Sequence, residues 1–151
     1  MQGMEPSLAY LLADSARLLR RAFDARVREL GLTSPQARLL LLLHVTEGEN
    51  QGFYAERLEV EPISLTRMID RMEESGMIER RRDPADRRAW RLHLTDKSHQ
   101  VIDQARTELQ GLEAEMLQGF DPDQCETLRV LLETIRANFS TARAGLEDIN
   151  G

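Results

Sequence analysis

Arginine is concentrated in one short stretch of the chain, residues 80–91. The stretch holds six arginines and only two acidic residues, Asp83 and Asp86, which gives a local charge of +4. A guanidinium group can donate two parallel hydrogen bonds to a phosphate or enter a narrow groove. The stretch therefore predicts a surface that binds the phosphates of a polyanionic partner.

The charge of the whole chain does not contradict this prediction. The 151 residues carry a net charge of −6. Residues 57–98 are nearly balanced, with ten basic and nine acidic groups, whereas residues 99–151 carry four arginines against ten acids. Because the acidity lies in the last third, the middle third remains free to meet a polyanion.

A second candidate for chemistry is the segment Pro62–Ser75, whose apolar residues recur with helical spacing. Leu65, Met68, Ile69 and Met72 share one face of the predicted helix, which we assign to the core. The other face and its flanks carry side chains that can reach phosphates or base edges. These residues are Ile63, Ser64, Thr66, Arg67 and Arg71.

Four of these side chains have a specific contact that they could make with DNA. Arg67 can fork onto guanine, Ser64 and Thr66 can bond to phosphate or base edges, and Ile63 can contact a thymine methyl group. The alternative is a solvated helix face, with Ile63 packed in the first turn. The residues taken one at a time favour this alternative.

The rest of the chain predicts elements that could position these two segments. Apolar residues from Leu8 to Leu30 recur every three or four positions and form one stripe on a predicted long helix, which Gly31 ends. Pro6 suits the first turn of that helix. The predicted order is a long helix, three shorter helices, an antiparallel hairpin and two long helices. Of the three shorter helices, the first follows Thr33, the second runs from Phe53 to Leu58 and the third begins at Pro62. The two strands of the hairpin are residues 77–82 and 90–94. The last two helices follow Thr95 and Asp121.

This order predicts a mostly helical fold with a small β-hairpin, a winged helix-turn-helix flanked by long helices. Its predicted parts are an N-terminal dimerisation helix in residues 1–31, a DNA-binding domain in residues 32–98 and C-terminal dimerisation helices in residues 99–151. Trp90 alternates with Leu92 and Leu94, so we assign it to the core rather than to base stacking.

The motifs resemble the MarR family of bacterial transcriptional regulators. The resemblance rests on residues 62–76, on the Asp-Pro-Ala-Asp-Arg-Arg-Ala motif at 83–89 and on Leu-Thr-Asp-Lys at 94–97. It covers nearly the whole chain. Two positions depart from the family pattern, since Glu59 and Ser98 stand where glycine is common. Within the family the chain looks most like the SlyA-type members, through Glu61, Ser64, Leu65 and Arg67.

The resemblance implies roles for the hairpin residues. Arg88 would sit at the tip of the wing and enter the minor groove, where an oriented guanidinium reads groove shape. Asp86 would hold Arg88 by a charge-assisted hydrogen bond. Arg82 and Arg87 are further candidates for DNA contact on the wing. The alternative is that Asp86 and Arg88 only stabilise the hairpin turn.

The first and last helices carry more apolar surface than a small winged domain can cover. In the resembled family, the terminal helices of two subunits interleave into a homodimer, and a two-fold dimer would bind an inverted-repeat operator. The residues predicted to form the dimer interface are Leu8, Leu11, Leu12, Leu131, Ile135 and Phe139.

The resemblance also implies a small-molecule effector. Many relatives are repressors that are released by small aromatic acids, which bind where the dimerisation and DNA-binding parts meet. His44, Arg17 or Arg20 could face such a pocket. A histidine among leucines is more often a core residue, and the two arginines are more often solvated, so we assign none of the three to the site.

The sequence gives no support for an enzyme. It contains no glycine-rich phosphate loop, nucleophile elbow or metal-binding cluster, and we predict no cofactor and no metal. The single Cys125 excludes an internal disulfide, and we interpret it as a packing residue. The longest apolar run, Leu39 to Leu43, is far shorter than the ~18 residues that span a bilayer.

We therefore predict a cytoplasmic, sequence-specific DNA-binding transcriptional regulator. It would be a ligand-responsive repressor that binds its operator as a homodimer. The alternative is a winged-helix module that binds protein instead of DNA, which the arginine-rich wing and the Asp86/Arg88 pair disfavour.

Overall fold

The structure of the protein, a computed structural model, describes the backbone of residues 3–149 and the side chains of residues 3–140. This part of the chain forms six helices and one two-stranded antiparallel sheet, which confirms the predicted fold class. The elements are α1 (Leu8–Glu29), α2 (Ser34–Val45), α3 (Gln51–Leu58), α4 (Pro62–Glu74), β1 (Ile78–Arg82), β2 (Trp90–Leu94), α5 (Asp96–Met116) and α6 (Pro122–Ile149).

The chain forms two compact units, Met1–Glu113 and Ala114–Gly151. The domain boundaries predicted at 31/32 and 98/99 stay a prediction, and residues 1, 2, 150 and 151 lie outside the described part. None of the helices in that part is long and apolar enough to cross a membrane.

The larger apolar core of the first unit joins α2, α3, α4, the hairpin and the start of α5. A smaller core joins α1 and α2 to α5 through Phe23, Val27, Ala37 and Leu112. Burial of the side chains of the larger core removes apolar surface from water and holds α4 and the hairpin against the same helices. The larger core is centred on Leu40, Tyr54, Ile69, Leu92 and Ile102.

Two helices begin at different residues from those that the sequence predicts. The hydroxyl of Ser7 accepts a hydrogen bond from the Tyr10 amide at 3.1 Å and caps α1, so Pro6 precedes the helix instead of lying in its first turn. The side chain of Asn50 caps α3, which therefore starts at Gln51 and not at Phe53.

Two predicted capping boxes are present. Thr33 Oγ1 accepts from the Gln36 amide, and the Gln36 side chain accepts from the Thr33 amide. Asp121 and Gln124 make the same reciprocal pair at 2.8 and 3.0 Å at the start of α6. Each pair satisfies two amide groups that a helix end would otherwise leave unbonded.

The two departures from the family pattern both lie at helix ends. Glu59, the C-cap of α3, has φ of 54°, a left-handed conformation that glycine adopts at lower cost. Ser98 is fully buried in the first turn of α5. Its hydroxyl accepts from the Thr95 amide at 3.0 Å and donates to the Thr95 carbonyl at 2.8 Å, so it closes the turn that leads from β2 into α5.

Candidate nucleic-acid interface

Helix α4 places its apolar and polar faces as the spacing predicts. Leu65, Ile69 and Met72 are buried, and Met68 packs against the same core. Ile63 is 63% exposed, which confirms that it points outward. The exposed side of the helix also carries Ser64, Arg67 and Arg71.

The polar groups of α4 differ in how freely they can meet a partner. Among the described residues, the guanidinium group of Arg67 has no hydrogen-bond or ion-pair partner. Arg71 donates weakly to the Arg67 carbonyl, at 3.4 Å. The Thr66 hydroxyl is already used inside the protein, since it donates to the Pro62 carbonyl at 2.9 Å and accepts from Gln51 Nε2 at 3.3 Å.

The wing is a regular antiparallel hairpin. Its register pairs Ile78 with Leu94 at the base and Arg82 with Trp90 at the far end. The buried ends of the strands lie at the base, with Ile78, Leu92 and Leu94 in the core. The core therefore anchors the base of the wing while its tip extends into solvent.

The α2–α3 connection is joined to β2 by an isolated antiparallel bridge between Asn50 and Arg91, which the sequence does not predict. The Gly48 amide donates to the Leu92 carbonyl at 2.9 Å, and the Leu92 amide donates to the Glu49 carbonyl at 3.0 Å. The buried hydroxyl of Tyr54 donates to the Thr46 carbonyl at 2.8 Å, and burial raises the pKa of this phenol. No periodic pattern marks so short a segment.

The loop at the tip of the wing is organised by two aspartates. Asp83 Oδ1 accepts from the Ala85 amide at 2.8 Å, and Asp86 Oδ1 accepts from the Arg88 amide at 2.9 Å. The Asp83 and Ala89 backbones also bond across the loop, at 3.1 Å. The hydrogen bond from Ala85, followed by the guanidinium of Arg91, lowers the pKa of Asp83 from its ordinary value of 3.8.

The six arginines of the wing have distinct environments. Arg91 pairs with Asp83 at 3.2 Å, and Arg81 pairs with Glu79 at 3.3 Å, where both side chains are about half exposed. Arg80 is turned inward, with only 13% of its side chain exposed. Within the described part of the chain, Arg87 and Arg88 alone among these six have guanidinium groups without a hydrogen-bond, ion-pair or ring partner.

Trp90 is not part of the core, which contradicts the prediction from strand alternation. The side chain is 38% exposed because it occupies the last register pair, beyond the edge of the core. The guanidinium of Arg82 lies over its ring, 5.0 Å from the centroid, and donates to the Arg87 carbonyl at 3.5 Å. Arg82 thus braces the tip loop, and its contact with DNA stays a prediction.

The residues predicted for the dimer interface are exposed within each of the two units. On α1, Leu8 is 86% exposed, and on α6, Phe139 is 74% exposed. Large apolar side chains in such rows are typical of surfaces that a partner covers. The other four predicted residues, also exposed, are Leu11, Leu12, Leu131 and Ile135.

The first unit contains a cavity of about 520 Å³ between α1, α2, the end of α3 and α5. Its walls are mostly apolar, with Phe23 and Leu112 among them. Among the described residues that line it, three are arginines and none is acidic. The three are Arg20, Arg38 and Arg57.

Three residues considered from the sequence for such a pocket have different positions. Arg20 lines the cavity. Arg17 pairs with Asp14 at 2.7 Å on the surface of α1. His44 is exposed near the end of α2, which contradicts the expectation that a histidine among leucines is a core residue. Arg38 and Arg57 were not predicted for the pocket, since only the packing of α2 and α3 brings them beside α1.

The described side chains offer no group of three or more His, Cys, Asp or Glu that could hold a metal ion. The fold and this surface define the chain as a winged helix-turn-helix protein with an arginine-bearing wing. More specifically, the chain belongs to the MarR family, whose family model matches residues 32–90.

Solved structures extend the similarity over most of the chain. The transcriptional repressor CouR, bound to a 23-mer DNA duplex, is 30% identical, with 86% of this chain and 92% of CouR covered and a TM-score of 0.72. A MarR crystal structure is 27% identical, with 95% and 97% covered and a TM-score of 0.81. A cysteine-to-serine variant of MarR from E. coli, complexed with operator DNA, is 25% identical, with 85% and 92% covered and a TM-score of 0.70.

Proposed function

We propose that the protein is a transcriptional repressor that binds double-stranded DNA in a sequence-specific manner as a homodimer. The observation that carries the proposal is a set of guanidinium groups on two neighbouring elements, α4 and the wing, that have no partner among the described residues. Arg67 lies on the exposed face of α4, and Arg87 and Arg88 lie at the tip of the wing. Membership of the MarR family and the two DNA-bound relatives support the same function.

Helix α4 is the element that reads bases. A helix of this kind lies in the major groove, with its N-terminal part at the base edges. Arg67 forks onto guanine, and the exposed Ile63 packs on a thymine methyl group. Ser64 and Arg71 position the helix by contacts with phosphates or base edges. The Thr66 hydroxyl already donates its proton to the Pro62 carbonyl, so it can only accept a hydrogen bond, from a donor on a base edge.

The wing reads the shape of the flanking minor groove. Asp86 fixes the backbone at Arg88 and leaves its guanidinium group to enter the groove, where the negative potential is concentrated. Arg87 and Arg82 add phosphate contacts beside it. Neither role needs a hydrogen bond to a particular base, so the wing adds affinity and shape preference rather than a base code.

The terminal helices form the dimer. Residues 1–31 and 99–151 contribute these helices, and residues 32–98 form the DNA-binding domain between them. The exposed apolar rows of α1 and α6, which include Leu8, Leu11, Leu12, Leu131, Ile135 and Phe139, supply the interface. A two-fold dimer presents two copies of α4 to half-sites about one helical turn apart, so the operator is an inverted repeat.

Two finer assignments rest on the sequence motifs. We propose that the protein is one of the SlyA-type members of the family, which it resembles through Glu61, Ser64, Leu65 and Arg67. Selection of an operator similar to those of SlyA-type proteins supports this placement, and an unrelated operator contradicts it. A regulator with this partner acts where a bacterium holds its chromosome, in the cytoplasm.

The cavity in the first unit is the site for an effector. Three arginines in a mostly apolar lining suit a small aromatic acid, since its ring can pack on Phe23 and its carboxylate can pair with Arg20, Arg38 or Arg57. An effector acts on DNA binding only if it prefers the conformation that cannot bind DNA. Titration of a panel of benzoic acid derivatives into the Arg20→Gln variant tests the site. The matched control is Arg17→Gln, because Arg17 lies outside the cavity.

The experiment that tests the function is selection of bound duplexes from a random DNA library, followed by titration of the enriched sequence at two salt concentrations. We expect an inverted repeat and an affinity that falls steeply with salt, because each phosphate contact releases counterions. Enrichment of no sequence, together with weak binding to all duplexes, would contradict the proposed function and favour the alternative, a winged-helix module that binds protein.

A further inference from the structure

Arg80 lies in the centre of the arginine-rich stretch but is almost fully withdrawn from solvent. Only 13% of its side chain is exposed. Its Nε donates to Gln51 Oε1 at 3.1 Å, and its Nη2 donates to the Thr66 carbonyl at 3.4 Å. The guanidinium group is therefore committed to neighbouring protein groups and is turned away from the surface that would meet phosphates.

Two carboxylates of α4 complete the environment of Arg80. Nη2 pairs with Asp70, and Nη1 lies 3.2 Å from Glu73 Oε1. The second oxygen of Glu73 accepts from the backbone amide of Arg80 at 2.9 Å. Glu73 consequently binds both the main chain and the side chain of Arg80, the central residue of β1.

The network joins three elements that reach different parts of a DNA site. Gln51 begins α3, Asp70 and Glu73 lie on α4, and Arg80 lies on β1. Gln51 also donates to the Thr66 hydroxyl at 3.3 Å, which closes the network. A planar guanidinium group with several donors can bind all of these acceptors at once, whereas the compact ammonium group of lysine cannot match the same fork.

We propose that Arg80 is a positioning residue for DNA binding that fixes the wing relative to the recognition helix and contacts no phosphate itself. Its role is to place Arg88 over the minor groove when Arg67 faces the bases of the major groove. This inference rests on the proposed DNA-binding function. It assigns to Arg80 a role opposite to that of Arg87 and Arg88, although all three belong to the same basic stretch.

The acids of α4 give the proposal a sharp test. Glu73 and Glu74 are neighbouring acids on the same helix, but only Glu73 binds Arg80. Removal of an acid close to DNA raises affinity when charge alone acts. The proposal requires Glu73→Ala to weaken operator binding and the matched control Glu74→Ala to leave it equal or stronger.

A double-mutant cycle between Arg80 and Arg88 tests the positioning role directly. Arg80→Lys keeps the positive charge but loses the forked set of guanidinium donors. We expect it to weaken operator binding by about tenfold, because the wing no longer holds Arg88 over the minor groove. In an Arg88→Ala background the same change should cost less than about twofold, because the contact that Arg80 positions is already absent. The single Trp90, which lines the cleft beside Arg80, reports by its fluorescence whether the wing remains folded.

Each other outcome identifies a specific failure. Equal losses in both backgrounds would show that Arg80 contacts DNA directly or only supports overall stability, and they would overturn the inference. A rise in affinity for Glu73→Ala would also overturn it. Failure of the wild-type protein to select any DNA sequence would instead refute the proposed function, so the two hypotheses fail in different experiments.

Discussion

The carboxylate of Asp86 holds Arg88 by its backbone amide and not by its guanidinium group. The oxygen Oδ1 of Asp86 accepts from the Arg88 amide at 2.9 Å, and the Asp86 carbonyl accepts from the Ala89 amide at 3.1 Å. These bonds fix the direction in which the Arg88 side chain leaves the wing. An arginine positioned in this way keeps its full set of side-chain donors for a partner.

We expect Arg88→Ala to weaken operator binding by about tenfold or more and to lower the slope of log affinity against log salt by about one per wing. The physical reason is the loss of a guanidinium group from a groove with concentrated negative potential. Fluorescence anisotropy at several salt concentrations measures both quantities. Arg129→Ala, which removes a similarly exposed arginine from α6, is the control. Unchanged binding by Arg88→Ala would refute the wing assignment.

Arg67→Ala should change which base is preferred at one position of each half-site. A bidentate arginine–guanine contact contributes about 1–3 kcal/mol of discrimination. The change removes this contact and leaves the phosphate contacts of the other arginines in place. Sequencing of selected duplexes for both proteins measures the effect. An identical base preference in the variant would show that Arg67 faces solvent or phosphate.

Deletion of residues 1–12 should weaken the dimer, because it removes the exposed Leu8, Leu11 and Leu12 from α1. Full burial of each leucine contributes about 1.5–3 kcal/mol, so their joint loss corresponds to orders of magnitude in the dimer dissociation constant. Sedimentation velocity across a concentration series measures it. A dimer as tight as that of the full chain would place the interface elsewhere. The control is Tyr10→Ser, which removes one exposed ring from the first turn of α1 and measures the effect of a single local change.

Glu59→Gly should raise the free energy of unfolding by up to about 1 kcal/mol. Glu59 ends α3 at a φ of 54°, where a side chain costs about 1 kcal/mol relative to glycine. The control is Glu59→Ala, which removes the same carboxylate but keeps a Cβ atom in the left-handed conformation. Urea unfolding of the three proteins separates the two effects. Equal stability gains in both variants would attribute the cost to the charge and not to the backbone.

The contribution of Asp83 to stability should disappear in acid. Because the Ala85 amide and Arg91 lower the pKa of Asp83 in the folded protein, the carboxylate stabilises the wing loop above its unfolded pKa. This contribution is lost as the pH falls below about 4, through the lower folded pKa. The stability difference between wild type and Asp83→Asn should thus be constant from pH 7 to 5 and shrink below pH 4. A difference that is independent of pH would contradict this account.

Local signals in the sequence were sufficient to predict the secondary-structure elements and the family. The spacing of Leu65, Ile69 and Met72 predicts which face of α4 is buried, because a helix repeats every 3.6 residues. The capping boxes at Thr33 and Asp121 mark helix starts through contacts that span only three residues. The MarR resemblance, which rests on adjacent motifs, is confirmed by the family model.

Strand alternation alone was insufficient to predict whether Trp90 is buried. Alternation predicts which side of a strand faces the protein, but it does not predict how far along the strand the core extends. The core covers Leu92 and Leu94 and ends before Trp90, which meets Arg82 instead. The same reason explains His44, which follows the buried Leu40 by one helical turn but lies near the end of α2, beyond the edge of the core.

The sequence by itself determined a winged helix-turn-helix with a basic wing, because helix periodicity, caps and turn residues act between near neighbours. Only the tertiary structure decided which arginines of that wing remain available. Arg80 is withdrawn by Asp70 and Glu73, which lie 10 and 7 residues earlier on another element, while Arg88 has no such partner among the described residues. Residue type gives all six arginines the same charge, and only the packing of α4 against β1 gives them different roles.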